Sequence, residues 1–395
     1  MADQSAVYDN PAVADGIHAL IVGVSNYTYL PDADEPPAAD SWFFNKLTSP
    51  ALSAYRIYQW LDQNKDKLRL PIKSIRLLLT ASAAEKAAEP ALQNLNAVVP
   101  TWNAFRDAVW AWRRAAGANP RDMTFFYFAG HGLQRGPEEG ILLLRDFGEP
   151  DTARLSRCVS FGDIRTGMAP TDSFPNIAQT QFYFVDACRL RPETLNRFVN
   201  PEPAQIWEVE LPRADRREAP VLFSTVDNAI ALGRDGKPSF FAEGLLSAFA
   251  RGAEDPDDST APPRWPVTSL GMKTALDRFY LKNKVGTQVY PGGMVGAPIL
   301  LYLAQPPDVD IGIVIRPDLL AGNCDVEVCD DDGQVVTRIA PCPSPSVGVT
   351  IKAGIYRLRL HSQRITDSPY RSKSKSLNQR TADWPHDLTS RIPAG

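Results

Sequence analysis

Two stretches of this chain constrain its fold more than any other. Met123–Ala129 reads Met-Thr-Phe-Phe-Tyr-Phe-Ala, and Thr180–Val185 reads Thr-Gln-Phe-Tyr-Phe-Val. Both are of strand length, nearly continuously apolar, and rich in aromatic and β-branched residues. That pattern predicts strands covered on both faces, as in a parallel sheet flanked by helices. In such sheets ligands occupy the crevice beyond the carboxyl ends of the strands. One run leads into Gly130-His131-Gly132 and the other into Asp186-Ala187-Cys188-Arg189, so an imidazole and a thiol are both expected at that crevice.

The chain has 395 residues, enough for two or three domains and a sizeable core. A net charge of −4 gives no electrostatic reason for a nucleic-acid partner. No run approaches the ~20 apolar residues of a membrane span, and the first residues lack the basic and apolar regions of a secretory leader. The five cysteines are irregularly spaced. That favours reduced thiols and a cytoplasmic setting over a disulfide framework.

The rest of the chain alternates strand and helix signals. His18–Ser25 is a predicted buried strand. A helix is expected after Thr48 or Ser49 as cap, with Pro50 in its first turn. Ile75–Leu79 is a second strand, and Thr101 opens a helix with Trp102, Phe105, Val109 and Trp112 at helical spacing, stopped by Gly117. Gly140–Leu144 reads as part of a hairpin. Pro220–Thr225 and Pro298–Leu303 are further strands, Phe240–Phe249 a helix, and Thr268 caps another helix to about Lys282. The expected fold class is therefore α/β: a mainly parallel sheet of about six strands flanked by helices. The pattern changes near Gln305. Val309, Ile311, Ile313 and Ile315 alternate, as do Val326 and Val328, and Tyr356, Leu358 and Leu360 share a face. This predicts a small β-sandwich-like module. The expected division is an extension over 1–16, the α/β domain over 17–304, the β module over 305–362, and a polar, flexible tail over 363–395.

Four histidines compete for a chemical role. His18 opens a strand, at the amino end of the sheet and away from the crevice. His361 and His386 belong to the module and tail. His131 alone stands at a strand's carboxyl end, between glycines that allow tight turns and close approach. Among the thiols, Cys324, Cys329 and Cys342 lie in the β module. Cys324 and Cys329 would face opposite sides of one strand and lack a fourth zinc ligand, so no metal site is expected. Cys158 falls in a loop. Cys188 follows a buried strand directly, and the polar Asp186 and Arg189 distinguish its surroundings from an ordinary buried thiol's. An imidazole beside a thiol can activate it for attack on a carbonyl carbon. The backbone N–H groups of Gly132 and Cys188 are candidate donors to the oxyanion that results.

These residues resemble a known family. Gly130-His131-Gly132 after an aromatic strand, then Asp186-Ala187-Cys188-Arg189 after another, is similar to the caspase-like cysteine peptidases. Prokaryotic caspases, metacaspases and the CHAT peptidases are the nearest in pattern. The resemblance extends over about residues 15 to 303, including Ala19–Tyr27, Phe128-Ala129, and Ser239-Phe240 before Leu245-Leu246. It implies Cys188 as nucleophile, His131 as general base and acid, Gly132 and Cys188 as oxyanion donors, and no cofactor. No third triad member is evident. Metacaspases carry an aspartate two residues before the nucleophile, so Asp186 implies cleavage after Arg or Lys. Asp186 could instead be satisfied by Arg189 or by backbone donors. Ser224, Thr225 and Asp227 are further candidates for the pocket wall. Leu190-Arg191 stands where the family often has glycine.

The resemblance also implies self-processing in the 190–219 loop, where Arg191, Arg197, Arg213, Arg216 and Arg217 are candidate cut points. It implies a regulated prokaryotic effector acting in stress, cell death or antiviral defence. The expected partners are a protein or peptide substrate and a regulatory protein recognised by the β module, with neither nucleic acid nor membrane. Two other readings remain open: a catalytically silent scaffold that binds protein partners, and an enzyme acting on small amides.

Overall fold

The computed structural model describes residues 3–384 apart from 37–40, 137–138, 192–201, 209, 211–213, 227–228, 230, 232, 258, 260, 294–295, 316–321, 323, 363–373 and 378–382. Asp227, Arg197, Arg213 and most of the expected flexible tail lie outside the described residues. Among those that are described, no helix is long and apolar enough to cross a membrane.

The chain forms two compact units, Met1–Ser247 with Leu276–Leu301, and Ala248–Ala275 with Tyr302–Gly395. In the first, the strands are β1 (Ala6–Asp9), β2 (Ile17–Val24), β3 (Ile72–Thr80), β4 (Met123–Gly130), β5 (Gly132–Gly136), β6 (Glu139–Leu143), β7 (Cys158–Ser160), β8 (Thr180–Ala187) and β9 (Val221–Phe223). Strand β10 (Trp265–Thr268) belongs to the second unit, and β11 (Tyr290–Gly292) to the first. The helices are α1 (Pro50–Gln63), α2 (Ala83–Ala88), α3 (Ala91–Asn94), α4 (Trp102–Ala116), α5 (Phe161–Gly167), α6 (Phe240–Arg251) and α7 (Ser269–Lys282).

The central sheet has seven strands in the order β1-β3-β2-β4-β8-β9-β11. The five inner strands are parallel, and antiparallel β1 and β11 close the two edges. This is the expected α/β class, but both edge strands, Ala6–Asp9 beside β3 and Tyr290–Gly292 beside β9, went unpredicted, and the strand expected at Pro298–Leu303 is not part of this sheet. Every residue of β2 and β4 is buried, which accounts for their unbroken apolar sequence. On one face, Phe105, Val109 and Trp112 of α4 pack into a cluster with Phe126, Phe128, Tyr183 and Val185.

Helix α1 starts where the sequence predicts, but not by the predicted cap. Ser49 occupies the N-cap position and gives its hydroxyl to the Lys237 carbonyl instead (2.8 Å). The orphan amides of Ala51 and Leu52 are taken by Ser25 Oγ and Glu85 Oε1, each at 2.9 Å. Thr101 and Thr268 do cap their helices, accepting from Ala104 N and Gly271 N.

The amino end of the sheet is closed by a polar cluster. His18 Nε2–H donates to Asp122 Oδ2 (3.1 Å), and His18 Nδ1 faces Ser74 Oγ (2.8 Å). Arg76 donates to the same Ser74 oxygen (2.9 Å), and Lys73 bridges to Asp122 (3.1 Å).

In the second unit, after β12 (Ile299–Leu303), come β13 (Asp308–Val314), β14 (Cys324–Cys329), β15 (Val335–Ile339), β16 (Ser346–Lys352), β17 (Gly354–Ser362), β18 (Ser374–Leu377) and β19 (Asp383–Trp384). They form two sheets, β16-β13-β19 and β15-β14-β17-β18. Val309, Ile311, Ile313, Val326, Val328 and Tyr356 share one core, with Leu358 and Leu360 against it. Cys324 is in that core and Cys329 is not, as their five-residue spacing requires.

Candidate active site

Strands β4 and β8 pair in parallel register from Met123↔Thr180 to Gly130↔Ala187. His131 and Cys188 are the next residue on each. They therefore leave the sheet side by side, on strands spaced about 4.8 Å apart. Gly132 explains how the two turns come so close. A Cβ there would sit 2.6 Å from the Cys188 carbonyl oxygen and 2.8 Å from Ala187 Cβ. The segments stay paired beyond the turns, where Gln134 N–H donates to the Leu190 carbonyl (2.8 Å). On the other side, Leu143 N–H donates to the His131 carbonyl (3.1 Å). Gly132 and Leu142 are thus a pair without mutual backbone bonds. The Gly132 N–H points off the hairpin, toward the side that carries Cys188.

His131 is held on three sides. Its N–H donates to Tyr27 Oη (2.8 Å), and its ring lies between Tyr27 and Phe44, with centroids 5.0 and 4.6 Å away. Nε2 is 2.7 Å from the Asn45 carbonyl. A carbonyl can only accept, so Nε2 carries the proton and Nδ1 keeps its lone pair. Burial pulls the imidazole pKa down to about 4, against the weaker opposing effect of Asn45. The loop that delivers Asn45 is strained. Trp42 and Phe43 are consecutive non-glycine residues at φ 56° and 63°, each costing about 1–3 kcal/mol. Trp42 is buried against Phe147, Phe44 packs on His131, and Phe43 is exposed.

The Cys188 thiol is raised by burial, with the Ala231 N–H, which donates to Sγ at 3.2 Å, acting in the opposite sense. A lowered imidazole and a raised thiol make the resting pair neutral at pH 7.

Asp186, near the end of β8 and two residues before Cys188, is buried. Tyr127 Oη donates to its Oδ2 (3.0 Å), and the Ser239 hydroxyl donates to the same oxygen. Burial pushes the carboxyl up to about 6, against the pull of the Ser239, Tyr127 and Ser224 hydroxyls. Among the described residues it is in no ion pair. Arg189 is not its partner: the guanidinium lies 4.5 Å over the Phe223 ring and 4.7 Å over Tyr290. Ser224 Oγ also reaches the Ala187 carbonyl (3.4 Å). Thr225 is sealed, its hydroxyl without a partner among the described residues.

The 190–219 loop is not uniformly exposed. Trp207 is buried, and its Nε1–H donates to the Asp163 carbonyl (3.1 Å). A Cβ on Gly167 would fall 1.9 Å from the Trp207 indole, so only glycine admits this contact. Among the candidate cut points, Arg191 and Arg216 are exposed. Arg217 is not: its side chain, 6% exposed, pairs with Asp215 and reaches Gln181 Oε1 (3.0 Å).

Sequence reasoning missed Asn45, Phe44, Tyr27, Tyr127 and Ser239. Asn45 acts through its backbone, which leaves no side-chain signal. The two hydroxyls are brought to Asp186 from other elements.

The chain is similar to several known proteins. A curated relative, the uncharacterized protein y4kE of Sinorhizobium fredii, is 29% identical over 197 residues, 49% of this chain and 51% of its own length. The chain thus spans about half the length of that relative. The crystal structure of caspase-1 from Spodoptera frugiperda aligns over 74% of this chain and 94% of its own, at 12% identity and a TM-score of 0.42. That of GSU0716 from Geobacter sulfurreducens aligns over 70% and 92%, at 13% and 0.39. The caspase domain of the C14 peptidases matches residues 16–261, more than half of the chain. The chain belongs to the caspase-domain family of cysteine peptidases.

Proposed function

We propose that the protein is a cysteine endopeptidase that cuts protein substrates after Arg or Lys through Cys188 and His131. The observation that carries this reading is the register of β4 and β8, which ends one residue before the imidazole on one strand and the thiol on the other.

Because the resting pair is neutral, proton transfer accompanies attack. His131 Nδ1 takes the thiol proton as sulfur adds to the scissile carbonyl. The Gly132 and Cys188 N–H groups receive the oxyanion. The proton then passes from Nδ1 to the leaving amine, and Nδ1 next deprotonates the water that releases the acyl group. The Asn45 carbonyl holds the ring and its tautomer throughout. Asp186, ionised above about pH 6, pairs with the substrate guanidinium or ammonium, and Ser224 supports the pocket wall; Thr225 and Asp227 are assigned to the same wall.

A fluorogenic Arg peptide should be cleaved, and Cys188→Ala or His131→Ala should abolish turnover. Undiminished activity in either variant refutes the assignment. The competing reading is a silent caspase-fold scaffold, favoured by the Ala231 N–H against the sulfur and by the hydroxyls around Asp186. An Arg-based thiol-reactive probe that fails to label Cys188 would decide for it. Self-processing is assigned to the exposed Arg191 or Arg216 rather than Arg217. A role in stress, cell death or antiviral defence follows from family resemblance, the cytoplasmic setting rests on the irregularly spaced cysteines, and a protein partner is assigned to the β module. Comparing new protein N-termini produced by wild type and Cys188→Ala in cells tests that setting.

A further inference from the structure

The two oxygens of Asp186 are not equivalent. Oδ2 receives the Tyr127 hydroxyl (3.0 Å) and the Ser239 hydroxyl. A carboxylate oxygen has two lone pairs, so Oδ2 is saturated. Both donors are locked in place. Ser239 Oγ accepts from Ala242 N (3.0 Å) at the start of α6, which leaves its single proton for Asp186. The Ser239 backbone N–H is fixed on Ser53 Oγ of α1 (2.9 Å), and Ser53 gives its own proton to the Ser49 carbonyl (2.8 Å). Tyr127 is sealed within β4. The third neighbour of the carboxyl is the Ser224 hydroxyl, on a backbone held by Tyr280 Oη, which donates to the Ser224 carbonyl (3.1 Å). A substrate cation therefore meets one open carboxylate oxygen, Oδ1, and one hydroxyl that can rotate to accept.

We infer that Ser239 and Tyr127 set specificity within the basic class: by filling Oδ2 they make the pocket favour lysine over arginine. The inference rests on Asp186 being the cation pocket proposed above. A guanidinium draws its advantage over an ammonium from a planar fork that meets both oxygens of a carboxylate. With Oδ2 filled, one arm of the fork has no carboxylate acceptor, and an N–H left unpaired in a buried site is costly. An ammonium is a compact point charge with rotatable donors. Oδ1 and Ser224 Oγ satisfy two of its three N–H groups, but only two of the five on a guanidinium. Ser239 and Tyr127 act through Asp186 and are positioning residues, outside contact with the reacting atoms.

The test compares two fluorogenic peptides that differ only in ending in Lys or Arg. Two labelled peptides with the same difference are followed by fluorescence anisotropy on the full chain carrying Cys188→Ala. All measurements are made at pH 8, above the Asp186 value of about 6. Lys should exceed Arg about tenfold in kcat/KM and in affinity, the size of one charge-assisted hydrogen bond. Ser239→Gly removes the hydroxyl and keeps an acceptable helix cap. Tyr127→Phe removes the other donor and leaves the cap untouched. Each should move the Lys-to-Arg ratio about threefold or more toward Arg, and Ser239→Thr should restore the wild-type ratio. A purely structural loss lowers both peptides together and leaves the ratio where it was. Equal or better use of Arg by the wild type, or a ratio unmoved in both variants, overturns the inference, while Cys188-dependent cleavage keeps the peptidase reading. Preferred binding of the Lys peptide without cleavage of either does the reverse. Binding of neither peptide removes Asp186 from the pocket, and the inference with it.

Discussion

Replacing Asp186 by asparagine should make the protein more stable and less able to cut after Arg. The carboxyl is wholly buried, accepts from two hydroxyls, and is raised by burial from 3.8 to about 6. A folded-state pKa above the unfolded value means that the native state prefers the protonated form. That preference is fully stabilising below pH 3.8 and is lost as pH rises through about 6. At about 1.36 kcal/mol per pKa unit, ionisation at pH 8 costs about 3 kcal/mol. The carboxamide introduced by Asp186→Asn would keep the shape and could both donate and accept among Tyr127, Ser224 and Ser239. Urea unfolding at pH 8 should therefore show a gain of about 1–3 kcal/mol, falling to about half at pH 5. Cleavage of an Arg peptide should meanwhile fall by about 100-fold or more, because the guanidinium loses a buried partner. A gain of equal size at both pH values, or none at pH 8, would refute the burial argument. A stabilised variant that still cuts after Arg at the wild-type rate would remove Asp186 from the specificity pocket while leaving that argument standing.

Gly132→Ala forces a methyl to within 2.6 Å of the Cys188 carbonyl. Stability should drop by about 1–3 kcal/mol, and peptide turnover by about 100-fold if the turns part by about 1 Å; thermal unfolding and a fluorogenic assay read the two effects. Phe44→Ala removes the ring packed on His131. It should lower kcat about tenfold or more with little change in KM, and NMR titration should find the imidazole pKa moving up from about 4 toward 6.5. Trp207→Ala empties the slot beside Gly167 and should cost about 3–5 kcal/mol by chemical denaturation.

The strand ends were legible because burial on both faces leaves long apolar runs, and β4 and β8 are such runs. His131, Cys188 and Asp186 stood out because they interrupt those runs with polar chemistry. Helix α4 was readable through Thr101, Gly117 and its apolar spacing. What stayed hidden was long-range or backbone-borne. Ser25 and Glu85 displace Ser49 as the cap of α1 from 26 and 33 residues away. Asn45 sits in a loop without periodicity, shaped by left-handed Trp42 and Phe43, conformations that neither residue type advertises. Trp207 lies in a proline- and arginine-rich stretch whose composition reads as exposed, yet one indole anchors it.

The cluster at the sheet's amino end carries its own lesson. Serine, histidine and aspartate stand there in the hydrogen-bonded order used by many hydrolases, with spacings of 2.8 and 3.1 Å. A search by interatomic distance alone would nominate Ser74 as an attacking group. Yet Ser74, His18 and Asp122 are 1%, 3% and 0% exposed, and Arg76 already occupies the serine oxygen. A fluorophosphonate reagent should pass Ser74 by. Here a serine, histidine and aspartate in the order of a charge relay make a latch, because solvent does not reach them and an arginine fills the place where a reacting group would have to enter.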